Sequence, residues 1–345
     1  MPKDHLPKMR TGLIAFLIFL LSSAPLKPQG IQQYGEIGDL VLTSGDTLYE
    51  CKIGYRTFGK MNSEKDNIVV YLTFFGGTTT HLANLIGRGK IVDSTDYFII
   101  TIDALGNGIS TSPSNYKEGE HFPQITIRDM VNSQYMLLTK HLGIESIYCL
   151  IGGSMGGMQA FEWVKGYPGF MECAVIYLGT PQLTSYDLLS SNSLLRTLKV
   201  GKESGVPEKE LQQLRDLFIA VNAQTPEYRL GKTKRREFNE FFNGYLKREA
   251  NPNYTVDNTI AQTEAMLSMD IIGEGGFEEA AKIIKARLFI IVSATDHIVN
   301  PSPAIELAAV TKSRLLILEN NCGHGAVSCE MERVSKAIAE FLIKK

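Results

Sequence analysis

Acidic and basic residues nearly balance in this 345-residue chain, so it lacks a large charge of either sign. Lys and Arg number 35 and Asp and Glu number 37, which gives a formal net charge of −2. Nucleic acids and anionic membrane surfaces attract strongly basic proteins, so this composition gives no reason to expect either partner. The short basic run at residues 232–236 is interpreted as the solvated face of a helix.

The chain shows no internal repeat and no low-complexity tract. Its N-terminal apolar run, residues 13–21, is too short for a comfortable membrane span. Three Lys and Arg residues precede this run and small residues follow it at 22–24, which is typical of a secretory signal. We therefore expect residues 1–24 to be a signal peptide and the protein to be exported, either periplasmic or secreted. Pro25 is a poor context for cleavage, which leaves open an uncleaved N-terminal anchor.

Cysteine is scarce, with five residues, and their spacing is not that of a zinc site. Cys149 and Cys173 lie in apolar runs that predict buried strands. Cys322 and Cys329 are near enough in sequence to pair, but spacing alone leaves the pairing open. The odd count leaves at least one thiol free or bound to another chain. We expect neither a metal nor another cofactor.

A G-x-S-x-G pentapeptide centred on Ser154 is the most informative feature that the chain does contain. The apolar run at residues 146–151 predicts a buried strand before it, and the amphipathic stretch at residues 158–165 predicts a helix after it. Strand, sharp turn and helix around this motif are typical of a nucleophile elbow. Ser154 is therefore the candidate nucleophile. The Met155 amide, at the helix N-terminus, is a candidate donor to an oxyanion.

A serine elbow predicts an acid and then a histidine further along the chain. Asp296 follows a strand-like run at residues 287–293, and His324 lies in a glycine-flanked loop after a second run at residues 314–318. An aspartate after a strand is more often a helix cap, and His297 is a rival for the base. His297 adjoins Asp296, however, and would have to fold back on its own neighbour. We therefore expect Ser154, Asp296 and His324 to form a catalytic triad.

Other runs predict the remainder of a sheet. Residues 39–42 and 49–58, joined by a turn at residues 44–46, predict an opening hairpin. Residues 67–75 and 97–102 predict two further strands. From residue 183 to residue 270 the strand pattern stops and the chain becomes polar and helix-forming, which predicts a helical insertion.

Three segments resemble the homoserine O-acetyltransferase family of α/β-hydrolases: FPQITIRDMV at 122–131, LGI at 142–144 and GGSMGGMQAFEW at 152–163. The resemblance is densest over residues 120–165. It implies an α/β-hydrolase fold, in which helices flank a mostly parallel central sheet and a helical lid is inserted. The core would then comprise residues 31–182 and 271–345, and the lid residues 183–270.

The resemblance also implies a second oxyanion donor, the amide of Phe75, with Gly76 as the near alternative. This chain differs from the family in two features that the family uses to bind its substrate. The family has Asp directly after the catalytic histidine, placed to bind the substrate amine, where this chain has Gly325. The lid also lacks a recognisable copy of the segment with the carboxylate-binding arginine, because Arg196 matches only a different lid position.

These features favour a serine acyl hydrolase that acts on a small ester or thioester through an acyl-enzyme intermediate. The expected export also favours a hydrolase over an acyl-CoA-dependent transferase, since acyl-CoA is a cytosolic donor. Two alternatives stay open: an acyl-CoA-dependent O-acetyltransferase, and a non-catalytic binding protein built on the same fold. The expected partner is a small-molecule acyl substrate.

Overall fold

The computed structural model describes residues 30–117 and 121–343, so the expected signal peptide lies outside the described residues. This part of the chain contains eight strands, which are β1 (Gln33–Val41), β2 (Thr47–Phe58), β3 (Ile68–Leu72), β4 (Phe98–Ile102), β5 (Ile147–Gly153), β6 (Met171–Tyr177), β7 (Arg287–Ser293) and β8 (Arg314–Leu318). They form one sheet in the order β1-β2-β4-β3-β5-β6-β7-β8.

The described residues also form twelve α-helices. In chain order these are α1 (Thr79–Ala83), α2 (Ile127–Met136), α3 (Met155–Gly166), α4 (Ser185–Glu203), α5 (Glu208–Asn222), α6 (Pro226–Lys232), α7 (Phe238–Leu246), α8 (Val256–Leu267), α9 (Gly276–Ile283), α10 (Ser302–Val310), α11 (Ala326–Cys329) and α12 (Met331–Leu342). A π-helical turn, Leu137–His141, continues α2.

The sheet is mostly parallel, as expected. Strands β1 and β2 form the predicted antiparallel hairpin, and β2 pairs antiparallel with β4. All other neighbours in the sheet are parallel. Parallel strands end at a common edge, so the loops after β3, β5, β7 and β8 meet on one side of the molecule.

Helices cover both faces of the sheet, and this explains why its central strands are apolar throughout. In β3, Ile68, Val70 and Leu72 belong to one buried cluster, which includes residues of α2, α3 and α10. Val69 and Tyr71, between them, belong to a second cluster, which includes residues of α1 and α12. Alternate residues of one strand therefore contribute to two cores.

Helices α4 to α8 form an insertion between β6 and β7, within the range 183–270 predicted to be helical. A small buried cluster of Leu194, Leu198, Leu211 and Val256 joins α4, α5 and α8. Helices α6 and α7 bury no residue. Among the described helices, none has the length and apolarity needed to cross a membrane.

Candidate active site

Ser154 occupies the one-residue turn between β5 and α3, in a backbone conformation that L-residues rarely adopt. Its φ is 55° and its ψ is −124°. Such a conformation costs of order 1–3 kcal/mol and persists only where the surroundings impose it. Here the Ser154 amide donates to the Tyr177 carbonyl at 3.0 Å, and the Ser154 carbonyl accepts from the Met158 amide at 3.0 Å. The turn presents the side chain at the carboxyl edge of the sheet.

The glycines of the motif allow the helix to begin directly on the strand. A Cβ on Gly152 would lie 2.0 Å from the Gly156 carbonyl oxygen, and one on Gly156 would lie 2.7 Å from the Leu72 carbonyl oxygen. Both contacts are with backbone atoms, which cannot move away as the end of a flexible side chain can. A side chain at either position would therefore push α3 away from the sheet and displace Ser154.

The structure brings the side chains of Ser154, His324 and Asp296 together. His324 Nε2 is 2.8 Å from Ser154 Oγ, and His324 Nδ1 is 2.7 Å from Asp296 Oδ2. The other carboxylate oxygen, Oδ1, accepts from the amides of Ile298 and Val299 at 2.8 and 3.0 Å. The carboxylate is thus an acceptor on both sides. The hydrogen-bond network therefore assigns the imidazole proton to Nδ1 and leaves Nε2 free to accept from the serine hydroxyl.

Two opposing effects act on the pKa of His324. Burial lowers the pKa because it disfavours the charged ring, whereas the charge of Asp296 and its hydrogen bond raise it. The net pKa lies above the ordinary value of 6.5. The side chain of Asp296 is only 1% exposed, so water screens this charge weakly.

His324 lies in a short loop after β8 that is fixed at both ends. It falls in a single 3₁₀ turn, Gly323–Gly325, and α11 follows directly. Cys322 and Cys329 are joined by a disulfide, which answers the question that their spacing left open. Cys51, Cys149 and Cys173 are buried free thiols.

The two candidate oxyanion donors follow β5 and β3. Met155 is the first residue of α3, and Phe75 lies in the loop after β3. The amide of Gly76, the alternative to Phe75, donates to Gln262 Oε1 at 2.9 Å and is therefore engaged. Within the described part of the chain, no hydrogen bond to another protein group occupies the amides of Met155 and Phe75. Of the two alternatives, the amide of Gly76 is therefore the less available, and the role of Phe75 stays a prediction.

A cavity of about 540 Å³ opens onto Ser154 and His324 between the sheet edge and the insertion. Of the described residues that line it, none is Asp, Glu, Lys or Arg. Its wall is mostly apolar and comes from both sides, with Phe74, Val299 and Met331 from the core and Leu194, Phe218 and Met266 from the insertion. Such a site suits a neutral, apolar ligand.

Several residues singled out from the sequence lie away from this cavity. His297 is exposed, although it adjoins Asp296. Arg196 is exposed on α4 and does not line the cavity. A Cβ on Gly325 would meet nothing within 4 Å, so space is not what excludes a larger residue there.

His81 lines the cavity but was not anticipated from the sequence. Its Nδ1 accepts from the Thr78 amide at 3.0 Å, as part of the cap of α1. A proton on the neutral ring therefore lies on Nε2. The only signal in the sequence was its place shortly after the loop expected to hold an oxyanion donor.

A mostly parallel sheet with helices on both faces, and a serine elbow within reach of a histidine and an aspartate, defines the class of α/β-hydrolase-fold proteins. A family model for the alpha/beta hydrolase fold matches residues 81–328. The chain belongs to this family and, within it, to the homoserine O-acetyltransferase-like proteins, as the resemblance predicted.

Its relatives include both acetyltransferases and esterases. A homoserine O-acetyltransferase of Geotalea daltonii is 30% identical over 89% of this chain and 95% of the relative. An ethyl acetate hydrolase of Pseudomonas veronii is 26% identical over 89% of this chain and 94% of the relative. The crystal structure of an acetylester hydrolase from Corynebacterium glutamicum is 25% identical, with a TM-score of 0.80 over 91% of this chain and 96% of that one.

Proposed function

We propose that this protein is a serine hydrolase of small neutral acyl esters or thioesters. The observation that carries the proposal is the cavity at Ser154, whose described lining is mostly apolar and has no acidic residue, lysine or arginine. An ester with an uncharged acyl group and an uncharged leaving group loses little on entering such a site. A zwitterionic amino acid would lose the solvation of two charges without gaining a counter-charge.

In the proposed reaction, the Ser154 hydroxyl oxygen attacks the acyl carbonyl while His324 Nε2 accepts its proton. The amides of Met155 and Phe75 would donate to the oxyanion, and each is worth roughly 3 kcal/mol by analogy with other oxyanion holes. His324 then protonates the leaving group, which departs and leaves an acyl-serine. Water attacks that ester with His324 again as the base, and this step releases the acid and restores Ser154.

Asp296 has a supporting part in this proposal. Its hydrogen bond keeps the imidazole proton on Nδ1, and its negative charge stabilises the imidazolium formed in each half-reaction. Burial of the Asp296 side chain strengthens that stabilisation. Two amides, from Ile298 and Val299, hold the carboxylate in place.

The relatives lend support to ester hydrolysis, since they include an ethyl acetate hydrolase and an acetylester hydrolase. The runner-up is acyl-CoA-dependent O-acetyl transfer, which is favoured by the 30% identity to the acetyltransferase of Geotalea daltonii. Two observations weigh against homoserine as acceptor. Gly325 supplies no charge where that family has Asp. Arg196 lies outside the cavity lining, so it is not placed to bind the carboxylate of a substrate in the cavity.

A side-by-side assay tests the proposal. The purified protein should hydrolyse p-nitrophenyl acetate and butyrate, should label at Ser154 with a fluorophosphonate, and should lose both properties in Ser154→Ala. With acetyl-CoA and L-homoserine, release of free thiol should proceed with kcat/KM below about 10⁴ M⁻¹s⁻¹, the lower end of ordinary enzymes. A value above that limit would favour acetyl transfer. Absence of labelling would favour the non-catalytic binding protein.

A further inference from the structure

The backbone of His324 is hydrogen-bonded to the helical insertion rather than to the sheet that carries its loop. The His324 amide donates to the Ala223 carbonyl at 2.8 Å. Ala223 is the C-cap of α5, directly after its last residue Asn222, and α6 begins only three residues later. The tight α5–α6 turn, residues 223–225, therefore contacts the proposed base directly.

A second hydrogen bond joins the same turn to the same loop. Thr225 Oγ1 donates to the Asn321 carbonyl at 2.6 Å, and Thr225 is only 3% exposed. Its hydroxyl also caps α6, because it accepts from the Tyr228 amide at 3.1 Å. One buried hydroxyl thus fixes both the start of α6 and the loop three residues before His324.

The backbones of the α5–α6 turn and the His324 loop approach so closely that only glycine fits at position 323. Gly323 has a φ of +61°, and a Cβ there would lie 2.7 Å from the Ala223 carbonyl oxygen. The neighbouring residues of α5, Phe218 and Ile219, line the cavity together with Ala223. The α5–α6 turn therefore touches the substrate space on one side and the His324 loop on the other.

We propose that the α5–α6 turn positions the catalytic base, with Thr225 as a positioning residue that acts through the Asn321 carbonyl. This inference rests on the proposed function, because it treats His324 as the base. When the insertion lies in the position described, the turn holds the His324 backbone so that Nε2 faces Ser154. Displacement of the insertion removes two hydrogen bonds from the loop and lets the His324 ring move away from Ser154 Oγ. Correct placement of the insertion and activity of the base are thereby coupled.

Three variants separate positioning from simple stability. Thr225→Val keeps the shape of the side chain but removes both hydrogen bonds of its hydroxyl. Thr225→Ser retains the hydroxyl. Thr255→Val is the matched control, since Thr255 caps α8 of the same insertion in the same manner, by accepting from the Asn258 amide. Its hydroxyl makes no hydrogen bond to the His324 loop in the described structure.

We expect Thr225→Val to lower kcat for p-nitrophenyl butyrate about tenfold or more relative to Thr255→Val, with KM within about twofold. Thr225→Ser should retain the wild-type kcat. Amide hydrogen exchange followed by mass spectrometry should be faster in the peptide covering residues 319–330 of Thr225→Val, and unchanged there in Thr255→Val. If Thr225→Val fails to fold, Gly323→Ala disturbs another contact between the same turn and the same loop, at the Ala223 carbonyl, and should show a comparable loss of kcat.

A kcat of Thr225→Val within about twofold of that of Thr255→Val would overturn the proposal, as would unchanged exchange at residues 319–330. A wild-type protein that neither hydrolyses the ester nor labels with fluorophosphonate would instead contradict the proposed function. The exchange measurement needs no turnover, so it tests the contact between Thr225 and the His324 loop even in that case.

Discussion

His324 is held from three directions, and each contact comes from a different part of the chain. Its Nδ1 contacts Asp296 after β7, its Nε2 contacts Ser154 after β5, and its amide contacts Ala223 of the insertion. A residue so constrained has a single productive ring orientation. Its protonation state then decides whether Nε2 can accept the serine proton.

The pH profile of the enzyme should follow this protonation. If His324 is the base, as proposed, it must be neutral to act, so kcat/KM for a neutral ester should rise with pH as His324 loses its proton. The midpoint should lie above 6.5, because the effect of Asp296 on the pKa of His324 outweighs that of burial. The measurement is kcat/KM between pH 5 and pH 9, corrected for spontaneous ester hydrolysis.

Two histidine variants provide the controls for this profile. His297→Ala should retain the profile and most of the rate, because His297 is exposed. His324→Ala should lose about 10²–10⁴-fold in rate, the range expected for a general base. The opposite ranking of the two variants would show that His297 is the base. A midpoint below 6.5 in the wild type would show that burial dominates the pKa.

At the scale of elements, the loop after β8 depends on contacts that stiffen it from both sides. Thr295 Oγ1 donates to the Asn320 carbonyl at 2.9 Å, and Asn320 Nδ2 donates to Glu330 Oε1 at 2.6 Å. The Cys322–Cys329 disulfide encloses His324 between its two ends. A loop closed in this way has few alternative conformations in which the ring could turn away.

Reduction of this disulfide should therefore affect both stability and catalysis. A loop of about eight residues corresponds to about 2.5 kcal/mol of unfolding free energy in the chain-entropy treatment. Dithiothreitol should lower the urea midpoint and kcat of the wild type while KM changes little. Cys329 is exposed, which gives the reductant access.

The double variant Cys322→Ser, Cys329→Ser serves as the control for reduction. It should resemble the reduced wild type and show no further response to dithiothreitol, since the other described cysteines are free. Titration of two new thiols without any change in kcat or in the urea midpoint would contradict the prediction.

The sequence was sufficient to predict the features of the site that depend on local backbone. The elbow around Ser154 needs only a strand, glycines at close contacts and a helix, and all three are visible within one segment. Asp296 and His324 could be predicted because each follows an apolar run whose strand ends at the functional edge of the sheet. Their roles in catalysis stay predictions that the assays above test.

The contacts of the insertion could not be predicted in this way. The hydrogen bond of Thr225 to Asn321 joins residues 96 apart and involves a backbone carbonyl, which leaves no mark on residue type. The pairing of Cys322 with Cys329 could not be decided from their spacing, because it depends on how the chain between them folds. The change from α2 to the π-helical turn after Met136 is a further feature that the sequence analysis did not predict.

At the scale of the whole molecule, we propose that the protein is exported. The Cys322–Cys329 disulfide supports this proposal, since disulfides persist mainly in oxidising compartments. Mature protein should lack the residues before about Gln29. Intact-mass measurement on protein from the periplasmic or secreted fraction checks this expectation. Soluble cytosolic protein with an intact Met1 would contradict it, and would also remove one argument against acyl-CoA as donor.

The hydrogen bond between Ser154 and His324 joins residues 170 apart, on either side of the helical insertion. Bringing together residues so far apart in the chain is entropically costly, and it requires β7 and β8 to pair beside β6 across the whole insertion. Helices and the β1–β2 hairpin, which involve near neighbours, form without that step. Recovery of the proposed esterase activity after dilution from denaturant is therefore expected to be a stricter measure of complete refolding than recovery of helix content.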